Sequence, residues 1–397
     1  MINCKYYLNT YKKKIQSEES LFLFNEKTIE FHRTIKNYQK TPLFSLPGLA
    51  KKLKVKNILI KDESKRFGLN SFKSIGASYA IYMYLKGLWK KKYNTELTVD
   101  NFWKTDINKE LGSFTFCTAT DGNHGKAVAW FSRLIKQKAI IYIPKDTANS
   151  RIEAIKNQGA KIKIVNGNYD DAVWQADNDA NKNGWIIISD TAYQGYLQIP
   201  AWIMSGYSTI FKEIENELLL IDEKSPDIIF FQTGVGALAG SGCSYFLTKQ
   251  ALKQPKLVCL EPLSADCFLQ SIKNGERIKI NGNLDSIMAG LNCGTPSMIA
   301  WPIIKENFDL FLAIPDNYAL EAMRILYYPQ ENDQKIISGE TGASGLAGLI
   351  ALIKANELHE LREKLNLNEE TVILLINTEG DTDPENFKKI VKLMPNV

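Results

Sequence analysis

Residues 113–143 read SFTFCTATDGNHGKAVAWFSRLIKQKAIIYI and carry, in order, a strand pattern, a glycine-containing turn, a helix pattern and a second strand pattern. The β-rich segment Ser113–Thr118 precedes the turn, Lys126–Gln137 has the spacing of a helix, and Ala139–Ile143 is an apolar run ended by Pro144. Parallel strands need a long crossover between them, usually a helix. The stretch therefore predicts a βαβ unit, the building block of a parallel sheet.

The same alternation of strand and helix patterns continues on the carboxyl side of this stretch. Apolar strand patterns without alternation are typical of sheets that helices cover on both faces. We therefore predict a two-lobed α/β fold with mostly parallel sheets covered by helices, in which ligands lie beyond the carboxyl ends of strands. The further strand patterns are Lys161–Val165, Trp185–Ser189, Asp227–Gln232, Lys256–Leu260 and Thr371–Asn377.

The chain length predicts more than one domain. With 397 residues, the chain exceeds the size at which a single hydrophobic core usually stops growing. We expect strands from both halves of the chain to complete a larger, discontinuous domain of residues 1–92 and 212–397. Residues 93–211 are expected to form a smaller domain.

Composition argues against several classes of protein. The formal net charge is +5, from 49 Lys and Arg and 44 Asp and Glu, and without a sustained basic face no nucleic-acid partner is expected. No apolar run approaches the roughly 18 residues of a membrane span, and residues 1–14 lack the pattern of a signal peptide. We therefore expect a cytoplasmic protein with no membrane partner.

The six cysteines show no CxxC pair, so neither a zinc ribbon nor a thioredoxin-type site is expected. No metal site is predicted. In a reducing compartment most thiols stay reduced. Cys267 and Cys293 lie in loop-like segments, and the sequence leaves open whether these two pair.

The first segment with chemical potential is Asn70–Ala77 (NSFKSIGA), in which Lys73 begins a predicted helix over Lys73–Leu85. The positive end of the helix dipole disfavours a charged lysine there. A lysine with a lowered pKa is suited to forming a Schiff base. The alternative is an ordinary surface lysine in the first turn of a helix.

Two further turns connect a strand to a helix. Thr118–Gly125 (TATDGNHG) contains two glycines, which let backbone amides approach an anion or a ring. Thr233–Gly240 (TGVGALAG) can present backbone N–H groups to a phosphate at a helix N-terminus. In a dinucleotide-binding fingerprint the third glycine would come one position before Gly240, and no Walker lysine follows.

Taken together, these motifs resemble the β-family of pyridoxal-phosphate (PLP) enzymes, fold type II, and in particular its diaminopropionate ammonia-lyases. The resemblance covers nearly the whole chain. Besides Thr118–Gly125, the segments that carry it are Arg66–Lys73 (RFGLNSFK), Ser189–Tyr193 (SDTAY) and Asn377–Asp383 (NTEGDTD). It implies a tryptophan synthase β-like fold, bound PLP and a homodimer. It also implies an α,β-elimination that converts a small amino acid, D- or L-2,3-diaminopropionate, into pyruvate and two molecules of ammonia.

The resemblance also implies roles toward the cofactor. Lys73 would attach PLP covalently and then act as a base, and Asn123 would hydrogen-bond the 3′-oxygen. Thr378 would meet the pyridine nitrogen, unless a nearby carboxylate of residues 379–383 takes that place. The phosphate would bind backbone amides of Gly234, Val235, Gly236, Ala237 and Leu238.

On the substrate side, Asp121 departs from the small hydroxyl residue that serine and threonine dehydratases carry there. Two tasks fit it: binding a second ammonium group, or removing the α-proton from the face opposite Lys73. Asp190 would meet the distal amino group, while Ser71 and Thr120 would bind the substrate carboxylate. The alternatives are a helix-capping role for Asp121 and a solvated loop position for Asp190.

Two other functions are compatible with the sequence. A serine/threonine-type dehydratase or racemase would use the same fold, although Asp121 argues against it. A noncatalytic nucleotide-binding protein would use the Gly234 turn with Glu261, about 25 residues past Gly236, as its acidic ribose partner. That function leaves Lys73 without a role. The preference for D or L substrate is left open.

Overall fold

The computed structural model describes residues 3–13, 27–120, 122–167, 169–221, 225–248 and 254–392. Within this part the chain forms two compact units. The first unit contains the described residues of Met1–Phe24, Lys40–Lys65 and Ile210–Val397, and the second contains those of Asn25–Gln39 and Arg66–Thr209.

The strands have the following bounds in chain order. They are β1 (Lys5–Leu8), β2 (Leu43–Ser45), β3 (Asn57–Asp62), β4 (Thr115–Ala119), β5 (Lys138–Pro144), β6 (Lys161–Val165), β7 (Ile186–Ile187), β8 (Ile228–Gln232), β9 (Lys256–Pro262), β10 (Leu310–Ile314) and β11 (Val372–Asn377).

The helices alternate with these strands. They are α1 (Lys27–Thr34), α2 (Pro47–Leu53), α3 (Lys73–Tyr93), α4 (Val99–Phe102), α5 (Ile107–Leu111), α6 (Asn123–Leu134), α7 (Asn149–Lys156), α8 (Tyr169–Asn183), α9 (Gln198–Leu220), α10 (Ala237–Thr248), α11 (Cys267–Asn274), α12 (Ala300–Asn307), α13 (Asp316–Tyr327), α14 (Ser344–Lys354), α15 (His359–Leu365) and α16 (Pro384–Val391). Short 3-10 turns cover Glu63–Gly68, Ala289–Leu291 and Asn356–Leu358.

The first unit is built on a sheet with the strand order β1-β10-β9-β8-β11-β3-β2. The strands from β10 to β3 in this order run parallel, while β1 and β2 pair antiparallel at the two edges. Helix α14 packs against β8 and β9. A Cβ at Gly348 would lie 2.9 Å from Leu260 Cδ1, so glycine lets α14 approach the sheet closely.

The second unit contains a parallel sheet with the order β6-β5-β4-β7. Ala172, Ala176 and Ala180 recur every four residues along α8 and pack with Cys117 and Tyr142 of the sheet. Residues four apart share one face of a helix, and small side chains there let the helix lie close to the sheet. The predicted βαβ unit over residues 113–143 is β4–α6–β5, and the mostly parallel α/β class is confirmed.

The compact units differ from the expected domain limits at three places. The described residues of 25–39 and residues 66–92 were expected with residues 212–397 but group with the second unit, and residues 210–211 group with the first unit instead of the second. The physical reason is packing: α3 lies against α6, and the Tyr82 ring of α3 stacks on Phe31 of α1 at a centroid distance of 4.4 Å. The expected roles of the two segments, a larger PLP-binding domain and a smaller one, stay a prediction.

Among the described helices, none combines the length and the apolar character needed to cross a membrane.

Candidate active site

Lys73 is the first residue of α3, as the sequence predicted. The Ser71 hydroxyl oxygen accepts the backbone N–H of Lys73 at 3.2 Å and so satisfies one of the open amides of the helix start. The Lys73 Nζ lies 2.5 Å from Oδ2 of Asp190 and 5.2 Å from the ring centroid of Phe72. The second unit therefore brings Lys73, Ser71 and Asp190 together.

Asp190 follows β7 and is held by the loop around it. The Tyr196 hydroxyl donates to Ile187 O at 2.8 Å and accepts the N–H of Ser189 at 3.0 Å, which fixes the backbone immediately before Asp190. The Asp190 residue is 9% exposed, so it is not a solvated loop side chain.

The ionisation of Asp190 is set by opposing effects. Burial raises its pKa, but the Lys73 amine, the nearby His124 ring and hydrogen bonds from the Lys73 amine and the backbone outweigh burial. The net result is an Asp190 pKa lowered to about 2. Beside the charged lysine, Asp190 is therefore a buried carboxylate at neutral pH.

The turn between β4 and α6 is organised by Thr120. Its hydroxyl oxygen accepts the N–H groups of Gly122 at 3.0 Å and Gly125 at 3.3 Å. A Cβ at Gly125 would lie 2.3 Å from Thr120 Cγ2, so glycine is required for this approach. Asn123 begins α6, and Asp121 lies outside the described residues.

His124, in the same turn, packs inside the second unit. Its Nε2 donates to the carbonyl oxygen of Ile188 at 2.7 Å. This bond connects α6 to the segment that leads to Asp190. A structural role for His124 agrees with this geometry.

In the first unit, the turn after β8 has the form of an anion cradle. Gly236 has φ +93°, a backbone conformation that residues other than glycine rarely adopt. A Cβ there would lie 2.5 Å from Phe268 Cζ. A Cβ at Gly234 would lie 2.9 Å from Gly290 O. The Val235 carbonyl accepts the N–H of Ser297 at 2.9 Å, which anchors the turn.

Ala237 and Leu238 form the first turn of α10, and that turn carries no acidic residue. The open backbone amides of this turn form the positive end of the helix dipole, and no carboxylate in the turn competes with an anion for them.

The two cysteines left open by the sequence both lie beside this turn. The Cys267 thiol is 3.9 Å from Gly234 O, and Cys293 Sγ is 3.1 Å from the position of a Gly234 Cβ. Both cysteines are reduced thiols in the structure.

Thr378 follows the last residue of β11 and is buried. Its hydroxyl oxygen accepts Nε2 of Gln232 at 3.2 Å, and the same Nε2 donates to Ile376 O at 2.7 Å. The neighbouring carboxylate of Glu379 accepts the N–H of Thr341 at 3.3 Å. Asp383 caps α16 through the N–H of Asn386.

A model of the pyridoxal-phosphate dependent enzyme family matches residues 35–378 of the chain. The chain belongs to the pyridoxal-phosphate dependent enzymes.

Individual members of this family are similar over almost the full chain. A diaminopropionate ammonia-lyase of Salmonella typhimurium is 39% identical over 394 residues, which cover 98% of this chain and 97% of the relative. The holo diaminopropionate ammonia-lyase of Escherichia coli superposes with a TM-score of 0.89 at 38% identity, over 98% of this chain and 96% of that one. The same enzyme with an aminoacrylate-PLP azomethine reaction intermediate has a TM-score of 0.87 at 37% identity, over 98% and 97%. The expected fold type II class is confirmed.

The residues of each unit fit parts of PLP. In the first unit, the glycines of the Gly234–Leu238 turn let its backbone pack closely against Phe268 and Gly290, and the turn leads into the N-terminus of α10, whose amides suit a phosphate. The same unit buries the neutral hydroxyl of Thr378 at the end of a strand. In the second unit, the Lys73 amine is partly buried beside a carboxylate. An anion cradle, a neutral hydroxyl and an amine are the groups that a phosphate, a pyridine nitrogen and an aldehyde require.

Sequence reasoning missed Gln232 and Tyr207. Gln232 was the last residue of a predicted strand, and a buried polar side chain at a strand's carboxyl end was the available signal. Tyr207 lies on α9, with its ring against Gly76 of α3. A glycine inside a predicted helix often has a packing reason, and Gly76 was that signal.

Proposed function

We propose that this PLP-dependent enzyme is a diaminopropionate ammonia-lyase. It would convert 2,3-diaminopropionate and water into pyruvate and two molecules of ammonia. The observation that carries the proposal is the 39% identity with an enzyme of that name across 98% of this chain.

The second unit supports a substrate with two amino groups. The buried Asp190 carboxylate faces the Lys73 amine. Once that amine is covalently engaged, it no longer carries the proton that faces Asp190. The carboxylate then requires another cation, because an unpaired buried charge is strongly unfavourable. A distal ammonium on the substrate supplies one, whereas the hydroxyl of serine does not.

Two hydroxyls of the second unit are suited to binding the substrate carboxylate. The Ser71 oxygen accepts the Lys73 N–H, and the Thr120 oxygen accepts two N–H groups of its own turn. These bonds fix the oxygens and leave each O–H proton available for donation. We therefore assign the substrate carboxylate to Ser71 and Thr120.

The cofactor residues keep the roles implied by the family. Lys73 attaches PLP, Asn123 binds its 3′-oxygen, and Thr378 meets its pyridine nitrogen. The amides of the Gly234–Leu238 turn bind its phosphate. When bound, PLP supplies an electron sink for the pair left on the substrate α-carbon.

Proton transfer falls to the side chains. Lys73, once released from its covalent bond, accepts the α-proton at Nζ, which becomes an ammonium group. Asp190 binds the distal amino group and orients it for departure. We assign to Asp121 the removal of the α-proton from the face opposite Lys73. This second base would let one site process both D and L substrate.

The test is a comparison of substrates with the purified enzyme. We expect kcat/KM for diaminopropionate to exceed that for L-serine by at least about 100-fold, because serine leaves Asp190 without a cation. Diaminopropionate should release two ammonia per pyruvate, and serine one. Asp190→Asn should reduce turnover of diaminopropionate far more than that of serine, whereas the exposed control Asp146→Asn should change neither. Dominant serine turnover by the parent enzyme would instead identify a dehydratase.

We also propose that the enzyme works as a homodimer in the cytoplasm. The family resemblance supports the dimer, and the reduced thiols of the described cysteines fit a reducing compartment. Light scattering coupled to size-exclusion chromatography tests the dimer. Fractionation of the source cells tests the compartment.

A further inference from the structure

Tyr207 buries a phenol beside the catalytic lysine, in the part of α9 that belongs to the second unit. The residue is 0% exposed. Its hydroxyl has no hydrogen bond of regular geometry among the described residues, although the Lys73 amine is near enough to lower the pKa of the phenol partly through hydrogen bonding. Buried hydroxyls are nearly always satisfied in folded proteins, so an open one needs an explanation.

The position of the Tyr207 ring is fixed by two glycines. A Cβ at Gly76 would lie 2.4 Å from the ring atom Cε1 of Tyr207, and one at Gly206 would lie 2.5 Å from Ile75 O. Helices α3 and α9 therefore approach each other at these two positions. The Tyr207 ring also contacts Phe72 at a centroid distance of 4.7 Å. This packing places the phenol at the first turn of α3, where Lys73 begins the helix.

The Tyr207 hydroxyl interacts electrostatically with both members of the ion pair. Burial raises the pKa of the phenol most, the Asp190 carboxylate raises it further, and interaction with the Lys73 amine lowers it. The net direction is upward, so Tyr207 stays neutral at physiological pH. A neutral phenol can accept an N–H from an ammonium group through its oxygen.

The Lys73 ammonium pairs with Asp190, with 2.5 Å between Nζ and Oδ2. During the proposed reaction Asp190 binds the distal ammonium of the substrate, and Lys73 becomes an ammonium by taking the α-proton. At that stage Lys73 needs a second acceptor. The open oxygen of Tyr207 lies in the same buried cluster.

We propose that Tyr207 is a positioning residue whose hydroxyl receives the Lys73 ammonium when Asp190 is occupied by the substrate cation. Tyr207 is then the acceptor of the Lys73 ammonium during turnover, in place of Asp190. This inference rests on the proposed function for the occupant of Asp190. The pairing of Lys73 with Tyr207 itself can be tested without substrate.

The decisive experiment measures Lys73 reactivity in the full chain stripped of cofactor. Competitive acetylation followed by mass spectrometry gives the pH at which Lys73 is half-reactive. The ionisable groups around the amine include Asp190, His124 and Tyr207. The variants are Tyr207→Phe, Asp190→Asn and the double variant, with Tyr142→Phe as a matched control for losing a buried tyrosine hydroxyl.

With Asp190 present, Tyr207→Phe should barely move the half-reactive pH. In the Asp190→Asn background it should lower that pH by about one unit, because the ammonium then loses a second charge-assisted acceptor. An equal shift in both backgrounds, or none in either, would overturn the proposal. The control Tyr142→Phe should leave Lys73 unchanged in both.

Kinetics of the loaded enzyme give an independent readout. Tyr207→Phe should lower kcat about tenfold with KM little changed, because the residue acts after substrate is bound. An unchanged kcat would count against the proposal. Failure of diaminopropionate as a substrate would remove the assigned occupant of Asp190, while the acetylation result would still decide whether Lys73 pairs with Tyr207.

Discussion

Gln232 donates its side-chain amide to the hydroxyl of Thr378 at 3.2 Å, joining the carboxyl ends of β8 and β11. The same amide donates to Ile376 O. The Gln232 side chain therefore holds the end of β11, the strand that positions Thr378. Gln232 itself ends β8, immediately before the Gly234 turn. The two elements of the first unit assigned to the cofactor depend on a single buried amide.

Replacing this amide should affect both stability and cofactor binding. Gln232→Leu should lower the free energy of unfolding by about 1–3 kcal/mol, since Ile376 O and the Thr378 hydroxyl lose a buried donor. It should also weaken PLP binding, measured by fluorescence titration. Gln137→Leu removes a buried amide of the second unit that accepts the Phe114 N–H. This control should cost similar stability with unchanged PLP affinity, and equal losses of affinity in both variants would contradict the assignment.

Alanine substitutions at Gly236 and Gly112 distinguish the effect of backbone strain from the effect of a steric clash. Gly236→Ala should destabilise the chain and weaken PLP binding, because alanine is strained at φ +93° and its Cβ would meet Phe268. Gly112 has a similar φ of +97° with nothing within 4 Å of a Cβ. Gly112→Ala should therefore show only the strain, about 1 kcal/mol, and no change in PLP affinity. Thermal unfolding and PLP titration distinguish the two variants.

The ion pair predicts a specific dependence of stability on pH in the cofactor-free chain. The Asp190 pKa is lowered from 3.8 to about 2, so the folded state binds this proton less tightly than the unfolded state. The resulting stabilisation, roughly 2 kcal/mol, is complete above pH 4 and is lost as the pH falls through about 2.

Urea unfolding of Asp190→Asn and of the parent chain between about pH 2 and 6 checks this sign. The two curves should lie apart at pH 6 and converge toward pH 2. The exposed control Asp146→Asn should follow the parent chain throughout. A gap that widens with acid would show the opposite shift.

Variants of Lys73 distinguish its role as the cation beside Asp190 from its role in covalent attachment of PLP. Lys73→Ala should abolish covalent attachment of PLP and reduce turnover by more than about 1000-fold. Lys73→Arg keeps a cation beside Asp190 but cannot form the covalent bond. It should retain the acid-dependent stability of the parent chain and still be inactive. Mass spectrometry after borohydride reduction identifies the residue to which PLP is attached. Labelling of a residue other than Lys73 would contradict the assignment.

The parallel sheets were predictable because their strands are short apolar runs separated by helix patterns. Lys161–Val165 matches β6 residue for residue, and Asp227–Gln232 differs from β8 by one position. Trp185–Ser189 was predicted as a strand, yet only Ile186–Ile187 pair in the sheet. After Ile187, within the described part of the chain, only the Ile188 N–H still bonds to β4, at Cys117 O. The Ile188 carbonyl accepts from His124 and the Ser189 N–H donates to Tyr196, contacts with side chains that the hydrophobic pattern does not predict.

The active-site residues were predictable to a different extent. Lys73 and Asp190 stand out through family motifs, but their direct ion pair joins positions 117 residues apart in sequence. Tyr207 carries no motif at all. Its place near Lys73 depends on the absence of side chains at Gly76 and Gly206, a packing relation between two helices that a single sequence does not display.

The same glycine pair has an evolutionary consequence. A mutation that adds a side chain at position 76 collides with the aromatic ring at 207, while one at position 206 collides with the backbone of the neighbouring helix. Positions 76 and 207 therefore constrain each other, whereas position 206 is constrained by the backbone at residues 75 and 76. Among homologous chains, a tyrosine at 207 should be inherited together with glycine at 76, and lineages that lose one should have lost the other.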